Sequence, residues 1–346
     1  MRNYFLPMAK ASLILVYLVI FAGAAVRMTG SGMGCPDWPK CFGYYIPPTE
    51  IEEIQWQADR QYEKGQMIIH DESLWKAKES FTTTATYDAS HWQKYTRHDY
   101  AEFNAKHTWT EYVNRLCGAL AGFACLLMAI FSFSYWRDRK SITLSSWLVV
   151  ALMVFQAWLG AVVVYSVLNP LKITVHMVMA LVIVAIIIAI IHSVRNRNTE
   201  IRKYNGQFKA FLIVSLAFTL LQVVLGTQVR EFIDEQVQAG IGNEYLWLNS
   251  PTTEFYIHRS FSFLILGVNF YLFYLNRRLN LGFEKMKWVL ILLILEVFTG
   301  VLMNYAHFPF GSQAAHLVLA SVLFGVQFKL ILEARKCYYC GKSSEN

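Results

Sequence analysis

Eight stretches of this chain are mostly apolar and about 20 residues long, enough to cross the hydrocarbon core of a bilayer. They lie at about 8–27, 110–136, 144–168, 173–194, 207–229, 252–275, 286–305 and 312–333. Backbone groups in lipid must find their hydrogen bonds within the segment, so each stretch is predicted to be a helix. The fold class follows: an all-α integral membrane protein with eight transmembrane helices. The first stretch begins close to Met1. Its end, Val26-Arg27-Met28-Thr29, lacks a small-residue cleavage site, so it is read as a helix and not as a signal peptide.

Charge orients the bundle. Residues 29–107 carry 12 acidic and 8 basic side chains, whereas the rest carries 23 basic and 12 acidic. A basic balance can accompany nucleic-acid binding, but these cations stand beside helix ends. Arg137, Arg139 and Lys140 follow the second helix. Arg195, Arg197, Arg202, Lys203 and Lys209 lie between the fourth and fifth, and Arg277, Arg278, Lys285 and Lys287 between the sixth and seventh. With eight crossings they share one side, and the positive-inside rule makes that side cytoplasmic. Both N and C termini are then cytoplasmic, and the long first outer loop, 29–107, is outside. The expected setting is a cell membrane of the bacterial inner-membrane type, with lipid and no nucleic acid as surroundings. So long a loop is expected to carry structure of its own. Glu50–Lys64 and Asp71–Ser80 have helical composition, which predicts short helices over the outer surface of the bundle.

The chain also repeats itself. Gly23-Ala24-Ala25-Val26-Arg27 ends the first apolar run, as Gly226-Thr227-Gln228-Val229-Arg230 ends the fifth. Asn114-Arg115 corresponds to His258-Arg259. Leu159-Gly160-Ala161-Val162-Val163 precedes His176 as Thr299-Gly300-Val301-Leu302-Met303 precedes His316. Polar residues carry the match, which chance similarity among apolar helices would not produce. The pattern predicts two tandem four-helix bundles, a pseudo-two-fold duplication about an axis along the membrane normal. Residues 1–200 form the N-terminal half and 201–336 the C-terminal half, with 337–346 a cytoplasmic tail.

Histidines near the outer helix ends suggest a bundle that holds haem, because imidazole is a natural axial ligand and helical bundles build cofactor sites from inward side chains. His258 and His316 are placed to grip one iron from both sides. The plain alternative is an interhelical hydrogen bond, although ionisable groups at membrane depth are functional suspects by default. His176 is the first-half counterpart of His316, but its partner position holds Asn114, a poor haem ligand. The first half therefore offers either an open, five-coordinate iron or a substitute such as His107. His107 shares a helical face with Glu111 and Asn114 but sits roughly 10 Å nearer the water.

Glu111, one turn before Asn114, can move protons or stabilise a cation beside a cofactor. Its alternative is an interfacial carboxylate favoured by the helix N-terminus. No acid stands in the same register of the second half, Glu254 being one residue out. That asymmetry assigns chemistry to the first half and electron transfer to the second. Arg27, Arg115, Arg230 and Arg259 stand outside against the charge trend and suit carboxylates such as haem propionates, or snorkel to headgroups. Cys35 and Cys41 lie in the outer loop, an oxidising place where disulfides persist. Cys117 and Cys125 are expected to be inert, and Cys337 and Cys340 cannot alone complete a zinc site.

These residues resemble the haem A synthase family, also called the CtaA/COX15 family. The run from Arg27 to Cys41, with Gly30-Ser31-Gly32-Met33-Gly34-Cys35-Pro36-Asp37-Trp38-Pro39, closely resembles its first outer loop. Glu111-Tyr112-Val113-Asn114-Arg115 resembles its E-Y-x-H-R motif, and His176, His258-Arg259 and His316 fill the remaining positions. The resemblance implies an oxidoreductase that converts haem O to haem A for cytochrome oxidase. A ring methyl is oxidised to a formyl group by successive hydroxylations, with water-derived oxygen. It implies haem B as cofactor between His258 and His316, and haem O as substrate at His176 and Glu111. It also implies a Cys35–Cys41 disulfide, haem O synthase as a partner and an electron acceptor. The acceptor's identity and a homo-oligomeric state stay open. Two departures stand out: family members carry histidine where Asn114 stands, and this first loop is unusually long. A b-type electron-transfer cytochrome and a haem-binding oxidase assembly factor without catalysis are the competing readings.

Overall fold

The computed structural model describes residues 1–97, 102–195 and 202–334. Cys337, Cys340 and the rest of the tail lie outside the described residues. Eight long helices form: α1 (Arg2–Met28), α2 (Ala105–Ser132), α3 (Lys140–Tyr165), α4 (Pro170–Val194), α5 (Gly206–Gln238), α6 (Thr253–Arg278), α7 (Met286–Tyr305) and α8 (Ser312–Glu333). Local chemistry starts several of them. The side chains of Asn104, Asn169 and Asn205 accept hydrogen bonds from the first N–H groups of α2, α4 and α5, and Pro170 opens α4 without needing a donor.

Among the described residues, seven helices, all but α6, are long and apolar enough to cross a bilayer. The chain is an integral membrane helical protein. Large apolar side chains such as Phe21, Phe123, Val154, Trp158 and Phe298 point outward, as lipid contact requires. α6 has the length but is diluted by Glu254, His258, Arg259, Asn269 and Asn276.

α1 packs on α2 and α4, and α3 closes the ring between them; α5, α6, α7 and α8 close a second ring in the same order. The rings meet along α1–α8, α4–α8 and α4–α5. One core gathers Phe5, Val16, Met128, Leu181 and Ile187; the other gathers Leu212, Leu272, Met286, Val289 and Leu330. Within the second ring, the Ser215 hydroxyl donates to Asn269 Oδ1 and Gln327 Nε2 donates to Ser215, both at 3.0 Å. All three residues are fully buried, so these bonds tie α5, α6 and α8 where lipid would offer no partner.

Two expectations are corrected. α5 runs on to Gln238 instead of ending near 229, because Asp234 pairs with Arg230 one turn earlier and extends the helix beyond the apolar run. The short helices predicted for 50–64 and 71–80 are not formed, apart from a single 3₁₀ turn at Ile51–Ile54. The outer loop folds instead around short strands: β1 (Gln61–Tyr62), β2 (Met67–His70), β3 (Ser73–Ala77), β4 (Phe81–Thr82) and β5 (Trp92–Lys94). β1 pairs with β4, and β2, β3 and β5 make an antiparallel sheet. The β2–β3 hairpin turns at Asp71-Glu72, both with positive φ, the conformation that matches strand twist. Met67 and Leu74 face a small core with Phe42, Ile54 and the cysteines, whereas Ile68 and Ala77 face another with Tyr62 and Trp92. With apolar groups on both faces, the strands show no alternation of polar and apolar residues. Several charges that imitate helical composition, Asp59, Lys64, Asp71, Glu72, Lys78 and Glu79, sit in turns and bends.

The domain formed by this loop is seated on α2. Gly34 lies so close that a Cβ there would come within 2.5 Å of the His107 carbonyl carbon and oxygen. Tyr165 at the end of α3 donates its hydroxyl to the Trp38 carbonyl at 3.2 Å. Gly34→Ala is therefore expected to loosen the outer domain, costing about 1–3 kcal/mol by overpacking. Faster limited proteolysis within residues 35–97, with the helical bundle intact, is the result to measure; unchanged proteolysis and melting would show that the seat tolerates a methyl group.

Candidate functional site

Four glycines mark the site. Ideal Cβ positions on Gly160, Gly226 and Gly300 fall 3.7, 3.1 and 3.8 Å from Cε1 of His176, His258 and His316 respectively. The Cβ position on Gly23 falls 3.9 Å from Asn114 Oδ1. Each of the four side chains thus rests on the bare backbone of the preceding helix. Helices can approach this closely in lipid where small residues line the contact.

His258 on α6 and His316 on α8 face each other across the second ring, their ring centroids 6.4 Å apart and their planes at 64°. Two metal–imidazole bonds of about 2 Å, plus the reach from each nitrogen to its ring centre, span roughly 6–6.5 Å. One iron fits that gap. His316 Nδ1 lies 2.8 Å from the Thr299 hydroxyl and 3.0 Å from Glu296 Oε2, which leaves Nε2 for a metal. By contrast His258 Nδ1, His176 Nδ1 and Asn114 Oδ1 are buried without a hydrogen-bond partner in the protein. Buried polar atoms are rarely left so, and these three suit a bound group.

A second row of polar residues stands four positions before three of the glycines. Gln156 Nε2 donates to the His176 carbonyl at 2.8 Å, and Gln222 Nε2 to the His258 carbonyl at 2.9 Å. Glu296 holds the same position before Gly300. The sequence reading missed all three, although the spacing from each glycine was there to be found.

On the first ring, the outer end of α2 grips the disulfide loop. Cys35 and Cys41 are joined, as expected. The Cys35 N–H donates to Glu111 Oε2 at 2.9 Å, and Thr108 donates to the Gly34 carbonyl at 2.8 Å. Arg115 pairs with Glu111 and reaches the carbonyls of Asp37 and Lys40, each at 2.8 Å. Glu111 is buried, both its oxygens are engaged, and it sits one turn above Asn114. Burial pushes the neighbouring Asp37 carboxyl above its ordinary range, against the Gly43 N–H and the Arg115 charge. The turn that carries His107 lies under Gly34.

Three further arginines are held in different ways. Arg27 Nη2 meets Asp234 at 2.9 Å and Arg230 meets the same carboxylate at 2.6 Å. Arg230 also bonds Gln313 and, at 3.0 Å, the Arg27 carbonyl. This cluster joins α1, α5 and α8. Arg259 is exposed and lies over the rings of Phe255 and Tyr256.

Comparison with known proteins bears on the whole arrangement. The COX15-CtaA family, described as cytochrome oxidase assembly protein, matches residues 8–81 and 64–328. A heme A synthase of Bartonella quintana is 23% identical over 345 residues, covering 91% of this chain and 88% of its own length. One from Wolbachia pipientis is 22% identical, covering 90% of this chain and 92% of its own length. One from Shewanella oneidensis is 24% identical, over 63% of this chain and 54% of its own length. The family match takes in the disulfide loop, all three histidines and their glycines, and the chain belongs to the COX15-CtaA family.

Proposed function

We propose that this chain is a haem A synthase, oxidising the ring methyl of haem O to the formyl group of haem A for cytochrome oxidase assembly. The observation that carries the reading is the His258–His316 pair, whose rings stand 6.4 Å apart in a family whose named relatives are heme A synthases. When bound, haem in the second ring supplies one-electron transfer, and haem O in the first ring is the substrate. His258 and His316 would hold a resident haem B, and His176 would meet haem O. Asn114 cannot serve as a strong ligand and leaves that side of the substrate iron open or to a residue such as His107.

The chain's own residues divide the remaining work. Glu111 holds a carboxylate one turn from Asn114, screened from water by the disulfide loop, where it can take up or release a proton at Oε1 or Oε2. Arg115 fixes that carboxylate and the loop together. Arg259 is exposed to meet a propionate, whereas Arg27 and Arg230 share Asp234 and would meet one jointly. In this reading all eight helices cross a cell membrane, with both termini cytoplasmic and the sites toward the outer face. α6 supports its crossing by turning Phe263, Leu264 and Phe270 outward while burying Asn269. The two rings are a duplicated pair about an axis between α4 and α8, supported by the matching glycine contacts and the matching ring order.

Three outcomes are expected. His258→Ala or His316→Ala should abolish the low-spin haem spectrum of purified protein; an unchanged spectrum would remove these residues as ligands. Glu111→Gln, in cells supplied with haem O, should lower haem A formation by about 10²–10⁴-fold while haem content persists. Wild-type protein yielding haem B and no haem A would overturn the synthase and favour a b-type cytochrome, a reading that Asn114 also suits. Asn114→His should move the spectrum of haem-O-loaded protein toward six-coordination; no change would mean that position 114 does not face the iron.

A further inference from the structure

We propose that Glu296 is a positioning residue that sets the reduction potential of the second-ring haem through its hydrogen bond with His316, an inference that rests on the bis-histidine reading above. The argument begins with the repeated register. The residue four positions before the ring-bearing glycine is Gln156 on α3, Gln222 on α5 and Glu296 on α7. At the two glutamines, the amide N–H₂ donates to the backbone carbonyl of the histidine it adjoins. That bond ties two helices and leaves the imidazole Nδ1 without a partner. An ionised carboxyl group has no hydrogen to give a carbonyl, and its acid form has one where the amide has two. At Glu296 the side chain turns to the donor within reach, the ring itself, and Oε2 lies 3.0 Å from His316 Nδ1. Thr299 adds a second oxygen at 2.8 Å, its own hydroxyl being directed at the Leu295 and Glu296 carbonyls.

The two ligands of one iron are thus made unequal by a single change of side chain. A carboxylate on the far nitrogen of a metal-bound imidazole fixes the ring's orientation and raises its basicity. A more basic ligand favours the oxidised metal, so His316 pulls the potential down and His258, whose ring meets the neutral Gln222 amide at 3.5 Å and no carboxylate, does not. Glu296 is also well placed to hold this role: its side chain is 13% exposed and within hydrogen-bond distance of the ring. In the first half, the corresponding place before Gly23 holds Val19, and Gln156 is turned to a carbonyl. The device belongs to the second half alone among the four positions.

The test is a redox titration of detergent-purified protein, following the haem B absorbance. Glu296→Gln should retain haem and let the new amide bond the His316 carbonyl as its counterparts do. At fixed ambient potential the oxidised-to-reduced ratio should fall about tenfold, a rise of about 59 mV for a one-electron couple. Gln222→Glu should do the opposite: it sets a carboxylate beside His258 Nε2, which the Gln222 amide now adjoins at 3.5 Å, leaves Nδ1 to the bound group, and lowers the potential. If Glu296→Gln loses haem, the sign of the Gln222→Glu shift decides. Haem-loaded variants that titrate with the wild type would overturn the inference and leave the bis-histidine reading standing. A wild-type protein without low-spin haem would overturn that reading instead.

Discussion

The contact between a glycine on one helix and a ring on the next is the constraint from which the rest of the site follows. α1 with α2, α3 with α4, α5 with α6, and α7 with α8 are neighbours in sequence and pack side by side. In each pair the first helix presents a glycine at the level where the second presents Asn114, His176, His258 or His316. A side chain at the glycine would push the ring toward the centre of the bundle or turn it. At Gly226, where the nearest ring atom is 3.1 Å from the Cβ position, even a methyl group forces a shift. Ring orientation is thereby set by backbone, the least adjustable part of a helix. Loss of side-chain freedom on the glycine side costs nothing, because glycine has none to lose.

The outer domain adds a second constraint to one half only. Its disulfide loop is held by Thr108, Glu111 and Arg115, successive positions along one face of α2. The carboxylate nearest the first-half site is thus also the anchor of the cover above it. The second half is covered differently: its connection between α5 and α6 is shortened by the extra turns of α5 and lays Tyr245 against His307 and Trp247 against Phe308. What the extension supplies instead is Asp234, which gathers Arg27 and Arg230 and links the two rings at their outer edge.

Much of this was readable from sequence because lipid leaves few choices. A run of about 20 apolar residues can only be a helix there, and seven of the eight helix starts fall within about five residues of the expected place. The histidines were legible because polar letters stand out in apolar runs and recur in register. The outer domain was illegible for the opposite reason. Its strands bury both faces, so Met67, Ile68, Leu74 and Ala77 give no period to read. Glu296 was hidden by its place: the positions that correspond to Glu111 lie on α6, whereas this acid stands on α7 and reaches His316 from the side. Asp234 was hidden by the assumption that a helix ends where its apolar run ends.

The two halves share a scaffold but differ in how firmly it is tied, and that difference suits their proposed cargoes. Below the histidines of the second ring, Ser215, Asn269 and Gln327 form a buried chain of hydrogen bonds across three helices. The same repeat register in the first ring holds Ser12, Cys125 and Ile187. Ser12 and Cys125 still meet across α1 and α2, but Ile187 has no polar group to offer, so the tie to the third helix is lost; interhelical hydrogen bonds in membranes contribute about 0.6 kcal/mol each on average. Nearer the site, Gln222 ties α5 to α6, and the first-half place that corresponds to it is Val19. A resident cofactor gains from helices that do not part. A substrate that must enter as haem O and leave as haem A needs helices that do, and at these two registers the first ring is the less firmly tied.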